Sequence, residues 1–246
     1  MNNKGYTLVE ILMALAVGMV LLAAVYGAVN SSQRSSSGIE RKVVAQQDAR
    51  SALELMAIEI RMASYDQDMD TSIWRDPSAS TCHDASANPT YRGIQEATEN
   101  SMTIEMDIGD SGAVGDNGNE IIRYNYDSAN HRLTRQTMST ATGNCSFSTA
   151  FSILGDLEAS KKTVRVINDQ NGNNTYDSGT DIPVFRYFNG AGTEIFPGTT
   201  PASIPTIRTI EITLAVETSA IDPMTKQKRK LVYSTRVTPR NHAITQ

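Results

Sequence analysis

From Ile11 to Val29, nineteen consecutive residues carry no formal charge. As a helix rising about 1.5 Å per residue they cover about 28 Å, close to the hydrocarbon thickness of a bilayer. So much uninterrupted apolar surface has to meet lipid or other apolar helices, and the rest of the chain must be arranged around it. A secretory signal peptide would have a shorter apolar region ending at a small-residue cleavage site, followed by polar chain. Here the helical pattern continues past Asn30. Lys4 and the amino terminus precede the run, which predicts a single pass with the N-terminus in the cytoplasm and the remainder across the membrane.

Glu10 stands at the front of this run. A carboxylate near a helix centre costs about 2.5 to 3.5 kcal/mol to insert, less toward the interface, and intramembrane ionisable groups usually have a partner. No Lys or Arg lies between Glu10 and Arg34, so the helix offers no cation within a turn or two. A positive group from another chain would serve, and an N-terminal amine freed by removal of a leader is the natural candidate.

The residues "KG" followed by "YTLVE", Lys4 to Glu10, resemble the cleavage signal of type IV pilins and pseudopilins. The resemblance implies that a prepilin peptidase cuts between Gly5 and Tyr6 and that the new N-terminus at Tyr6 is methylated. It also implies that Glu10, fifth in the mature chain, pairs with the amine of a neighbouring subunit during assembly. Tyr6 keeps an aromatic where Phe is commoner in the family. Gly27 stands where many major pilins carry a helix-loosening Pro, and a helical Gly weakens its helix by about 1 kcal/mol.

Beyond the apolar run, Ile39, Val43, Ala49, Leu53, Met56 and Ile60 recur at helical spacing, with Glu40, Arg41, Asp48, Arg50, Glu54 and Glu59 on polar faces. The spacing predicts an amphipathic continuation packed on a globular domain. "ALELMAIEIRMASYD" is similar to the same region of minor pilins of the PilW kind. A helix from about Tyr6 to Ser64 would measure about 90 Å, far more than one bilayer, so its second half stands outside. "SSSG", Ser35 to Gly38, is its expected soft point.

After Tyr65 the composition turns to Thr, Asn, Asp and Gly, and enough chain remains for one domain of ordinary size. Short alternating runs predict strands at "MTIEM" from Met102, "EIIRYNYD" from Glu120 and "HRLTRQT" from His131, the last two forming a hairpin across "DSAN". "TVRVI" from Thr163 and "IPVFRYF" from Ile182 flank an Asn- and Gly-rich loop. Ile210, Ile212, Leu214 and Val216 alternate with Glu211, Thr213 and Ala215, and "LVYSTRV" returns after "DPMTKQK", a half-buried antiparallel hairpin. The segments Asp66 to Asn100 and Thr137 to Ser160 lack pattern and read as long surface loops. The fold class is therefore α+β: a long N-terminal helix packed on a mainly antiparallel β domain, as in pilins. The expected division is a leader at 1–5, a transmembrane and assembly helix at 6–30, its amphipathic continuation at 31–65, and an extracytoplasmic β domain at 66–246.

Cys82 and Cys145 fall in the two long loops. Outside the cytoplasm a disulfide is permitted, and closing so long a loop would contribute roughly 4 kcal/mol in the chain-entropy model. Two free thiols are the alternative.

"DQNGNNTYDSGTD" runs from Asp169 to Asp181. Asp169, Asn171, Asn173 and Asp177 occupy positions one, three, five and nine of a calcium loop, with the Thr175 carbonyl at position seven. Alternate spacing turns these oxygens toward one hard cation. Two departures stand against it: Thr180 holds position twelve, with the acid Asp181 one place late, and Asn174 replaces the turn Gly. Asn tolerates the left-handed conformation that the turn requires. A polar turn between two strands is the other reading. "DIGDSGAVGDNGNE", from Asp107, is a second acidic loop of irregular spacing.

His83, His131 and His242 are scattered without metal-binding or catalytic spacing, and Ser111 in "GDSGAVG" lacks the strand-turn-helix setting of a nucleophile elbow. No catalytic residue and no cofactor besides calcium are expected. A formal net charge of -5 argues against nucleic acid, and "KQKRK" at Lys226 to Lys230 is a short basic turn.

The resemblance, taken with these features, implies a minor pilin of the PilW kind held in the inner membrane until cleavage, with its C-terminal domain in the periplasm. Processed by prepilin peptidase, it would then join minor and major pilins through its N-terminal helix at a pilus tip or initiation complex. A type II secretion pseudopilin of the J kind shares the same signal, and a membrane-tethered calcium- or ligand-binding module is the more distant alternative.

Overall fold

The computed structural model describes residues 5–70, 73–74, 91–139, 146–156, 158, 163–222 and 225–243. Its first element is one α-helix, α1, Leu8–Met62. At about 1.5 Å per residue its 55 residues measure about 80 Å. The fold is α+β, with antiparallel sheets following the helix.

The first sheet is a meander in chain order: β1 (Ile94–Ala97), β2 (Ser101–Glu105), β3 (Ile121–Asp127), β4 (Arg132–Met138) and β5 (Phe151–Leu154). In the second sheet β9 (Thr209–Thr218) is the spine. Along one edge it pairs with β10 (Lys230–Val237), in unbroken register from Lys230 opposite Glu217 to Val237 opposite Ile210. Its other edge is shared. β7 (Phe185–Phe188) covers the first part and β6 (Val164–Val166) the last, while β8 (Glu194–Ile195) extends the sheet beyond β7. Between β6 and β7 the buried Asn168 fills the gap: its amide donates to the carbonyls of Ile182 and Thr213, and its Oδ1 accepts from the Ala215 N–H.

The second half of α1 closes the core. Ala45, Ala49, Ala52, Leu53, Met56, Ala57 and Ile60 are buried against both sheets. Four of these seven side chains are a single methyl, so the helix axis can approach closely with little rotamer entropy lost on packing. A polar clamp fixes the register. Arg135 on β4 donates to both oxygens of Glu59, at 2.9 and 3.1 Å, and the Tyr124 hydroxyl donates to the same carboxylate. Burial and the Glu59 charge together push the Tyr124 phenol well above its usual range. Farther up the helix the Thr163 hydroxyl donates to Asp48, and Arg41 donates to the Ile221 carbonyl.

Several expectations need correcting. α1 runs through Ser35 to Gly38 without a break. Gly38 serves close packing instead: a Cβ there would lie 3.2 Å from Asp222 Oδ1. The two unpatterned segments contribute strands β1 and β5, and Ile73 and Trp74 join Val114, Ile121 and Met138 in a second small core. Four-residue strands are too short for alternation to emerge from sequence.

Near the C-terminus His242 is 3 % exposed. Its Nε2 lies 2.9 Å from the Ile204 carbonyl and its Nδ1 2.8 Å from the Arg92 carbonyl and 3.0 Å from Ser64 Oγ. The crossing beneath it is tight, since a Cβ on Gly93 would fall 2.6 Å from Ser64 Cα. Burial holds the imidazole below its ordinary pKa, and the Arg208 and Arg92 charges act in the same direction, against the two carbonyls. A depressed folded-state value means stability that is full above the unfolded value of about 6.5 and is lost as the pH falls toward the folded value. The resistance of the wild type to urea is therefore expected to fall from pH 7 to pH 5. In His242→Gln, which cannot take up a proton, that slope should shrink even though the variant starts less stable.

Candidate functional site

The helix start is built by Thr7. Its backbone is extended, with φ -80 and ψ 153, and its hydroxyl oxygen accepts the Glu10 N–H at 3.3 Å. Glu10 Oε2 in turn accepts the Thr7 N–H at 2.8 Å and the Thr7 hydroxyl at 3.0 Å. This reciprocal capping box satisfies two of the donors that every helix N-terminus leaves unpaired. The Glu10 carboxylate therefore has an uncharged partner one turn back in its own chain, where sequence reasoning looked for a cation. The signal was present in "TLVE", a Thr followed three residues later by Glu.

Gly5 and Tyr6 precede the helix in non-helical chain, and Tyr6 is 86 % exposed. Among the described residues beyond its chain neighbours, no atom lies within 4 Å of a Cβ placed on Gly5. From here α1 is long and apolar enough to cross a membrane, and none of the apolar window is buried inside the protein. Leu8, Leu12, Leu15, Met19, Leu22 and Tyr26 are all exposed. Among the described residues nothing covers them.

Residues 1–26 match the family model described as the prokaryotic N-terminal methylation motif. The chain carries a prepilin-type N-terminus. Comparison with curated proteins gave no match, and comparison with solved structures gave none.

The loop from Asp169 to Asp181 bulges from the gap between β6 and β7. Its base is clamped: the Asp169 N–H donates to the Tyr126 hydroxyl and the Ile182 N–H to the Asn168 carbonyl. Burial and the Asp169 charge raise the Tyr126 phenol, to about 12. Asp169 accepts the N–H groups of Gly172 and Asn174, Asn174 standing at φ +64. Asn171 and Asn173 both turn their amides to Asp177 Oδ2, each at 2.6 Å. The Asn173 Oδ1 accepts from the N–H and hydroxyl of Thr175. Asp181 closes the loop by accepting the N–H groups of Gln170 and Asp177. The structure thus gathers all six sequence-predicted metal residues in one loop, where their side chains are bonded to the loop itself. Among the described residues no three Asp, Glu, His or Cys side chains are grouped to hold a metal.

The second acidic loop is held by its own backbone. Asp107 accepts the N–H groups of Ser111 and Gly112, and the buried Glu120 accepts those of Gly109, Gly115 and Asn117. Cys82 and Cys145 lie outside the described residues.

Because no described residue beyond its chain neighbours packs at Gly5, its replacement tests recognition with the packing of the described residues left intact. Gly5→Leu should leave the domain's thermal midpoint unchanged while blocking removal of the leader, so that intact-mass measurement finds the full chain and no species beginning at methylated Tyr6.

Proposed function

We propose that this chain is a minor pilin of a type IV pilus, of the PilW kind, cleaved after Gly5, methylated on Tyr6 and assembled through its N-terminal helix. The observation that carries the reading is the division of α1: an apolar first half of which nothing is buried among the described residues, and a second half whose small-residue face is locked into a β domain. A domain built this way presents its helix to other helices as a rigid rod. The prepilin-type N-terminus supports processing by a prepilin peptidase. In this reading the precursor sits in the inner membrane with its N-terminus cytoplasmic and its β domain periplasmic, then moves into the filament.

Within that reading Glu10 sets axial register by meeting the Tyr6 amine of a neighbouring subunit. A buried ion pair contributes to register more clearly than to net stability. Glu10→Ala should insert and be processed as wild type does, yet cross-link to partner pilins at least about tenfold less, the loss expected when about 1.4 kcal/mol of pairing is removed. Glu10→Gln, which keeps the capping geometry without the charge, should fall between them. Efficient cross-linking of both variants would favour a membrane-tethered module instead.

We also infer that calcium organises the loop from Asp169 to Asp181. Support comes from Asn174, which adopts the left-handed conformation of the turn position with its N–H on Asp169, and from the convergence of Asn171 and Asn173 on Asp177. Rotation of the two amides would turn their oxygens inward beside Asp169 and Asp177. A millimolar calcium titration should raise the thermal midpoint by several degrees in wild type and not in Asp177→Ala; magnesium, which demands a smaller octahedral shell, should do little. An unchanged midpoint would leave the loop a polar turn.

A further inference from the structure

The β9–β10 hairpin runs down α1 toward the apolar end of the helix. Thr235 lines a surface groove with Leu53 and Ala57, the Arg50 guanidinium lies 6.0 Å from the centre of the Tyr233 ring, Arg41 reaches the Ile221 carbonyl at 2.8 Å, and Asp222 packs on Gly38. Each step along the hairpin toward its tip meets the helix nearer its N-terminus. The tip therefore stands beside residues 37–44, and from Val29, where the apolar run ends, to Gly38 the helix rises about 14 Å. The headgroup zone takes up roughly 5 to 8 Å of that distance. What remains is within about one Debye length at physiological salt.

The charge on this tip is positive although the chain carries a formal net charge of -5. Lys226 and Lys230 are exposed and in no ion pair among the described residues, and so is Arg34, four residues before Gly38 and so on the helix face that meets the tip. Of the carboxylates around the tip, two are covered, while Glu40, exposed in the groove that also holds Ser219 and Ala220, is outnumbered by the cations beside it. Asp222 holds Arg229 at 2.6 Å, and Glu217 holds Lys228 at 3.1 Å. Beside them Ile221 is 54 % exposed. Free cations around an exposed apolar side chain, facing the side on which the same molecule enters a bilayer, make a surface complementary to anionic lipid headgroups.

We propose that the tip of the β9–β10 hairpin, with Arg34, docks on the anionic phospholipid headgroups of the bilayer that α1 spans, holding the β domain against the membrane until the subunit leaves it. The proposal rests on the membrane-spanning reading of α1. Lys226 and Lys230 engage phosphates from the tip, Arg34 fills the space beneath it, and Asp222 on Gly38 keeps tip and helix in fixed relation.

The test uses the full chain in lipid nanodiscs, with hydrogen exchange followed in the peptides covering 219–230. In discs of about 30 mol % phosphatidylglycerol, exchange should be several-fold slower than in phosphatidylcholine discs, and about 0.5 M NaCl should erase the difference. Each of Lys226→Gln and Lys230→Gln should lower headgroup affinity about fivefold, so the double variant should lose nearly all of the difference, whereas Arg61→Gln at the far end of the helix should leave it intact. Equal exchange in both lipids, in a chain that resists carbonate extraction, would overturn the docking surface alone. A chain that carbonate strips from the bilayer would overturn the spanning helix and the docking surface with it.

Discussion

The clamp on Glu59 holds the helix and the sheets in one frame. Arg135 and Tyr124 reach it from adjacent strands of the first sheet, β4 and β3, while the alanines above it let the helix settle against the second. The Glu59 and Arg135 side chains are 17 and 19 % exposed, so the pair is neither a solvated surface contact nor a fully desolvated one. Its net contribution lies between the two limits, about 1 to 3 kcal/mol, with bidentate geometry doing as much for orientation as for energy. Without a fixed angle at this point the exposed half of α1 would sweep a wide arc, because a small rotation about Glu59 is magnified along some 50 residues of helix, or about 75 Å.

This lever explains why the contacts above Glu59 are spaced along the helix. Thr163 meets Asp48, Tyr233 lies near Arg50, Ile221 meets Arg41 and Asp222 meets Gly38. None is strong alone. Together they stiffen the segment in which Ser35 to Gly38 would otherwise be the weakest turn, since Gly and Ser both favour the helix less than Ala does. A glycine that looks like a hinge in sequence is here a point where the Asp222 side chain of the hairpin packs against the helix.

What could be read from the sequence was governed by length. Nineteen apolar residues, a stripe at helical spacing from Ile39 to Ile60 and the alternation from Ile210 to Val216 carry enough repeats for periodicity to stand out, and the elements are where the spacing put them, although Ile39 and Val43 are exposed and the stripe packs only from Ala49 onward. β1 and β5 have four residues each and did not. Asn168 was also invisible. An Asn inside a polar stretch looks like turn chemistry, and only the interrupted edge of β9 shows that it replaces a missing strand residue. Thr7 is legible as a cap in "TLVE", but a carboxylate at the front of an apolar run points first to a cation, although the backbone at a helix start is an equally good donor.

That last point changes how Glu10 should be understood. Both of the Thr7 donors fall on Oε2, the N–H at 2.8 Å and the hydroxyl at 3.0 Å. Two hydrogen bonds to one carboxylate oxygen offset part of the cost of taking the charge out of water, but they do not neutralise it, and Oε1 accepts from no described residue. The capping box is made from the Thr7 peptide N–H and side chain, both of which lie after the Gly5–Tyr6 bond, so removal of a leader at that bond leaves it whole. In the pilin reading proposed above, a subunit would wait in the bilayer with its carboxylate oriented and half satisfied. A cation arriving from a neighbour would then find a preformed acceptor, and the orientation that the cap supplies would not have to come from the energy of association.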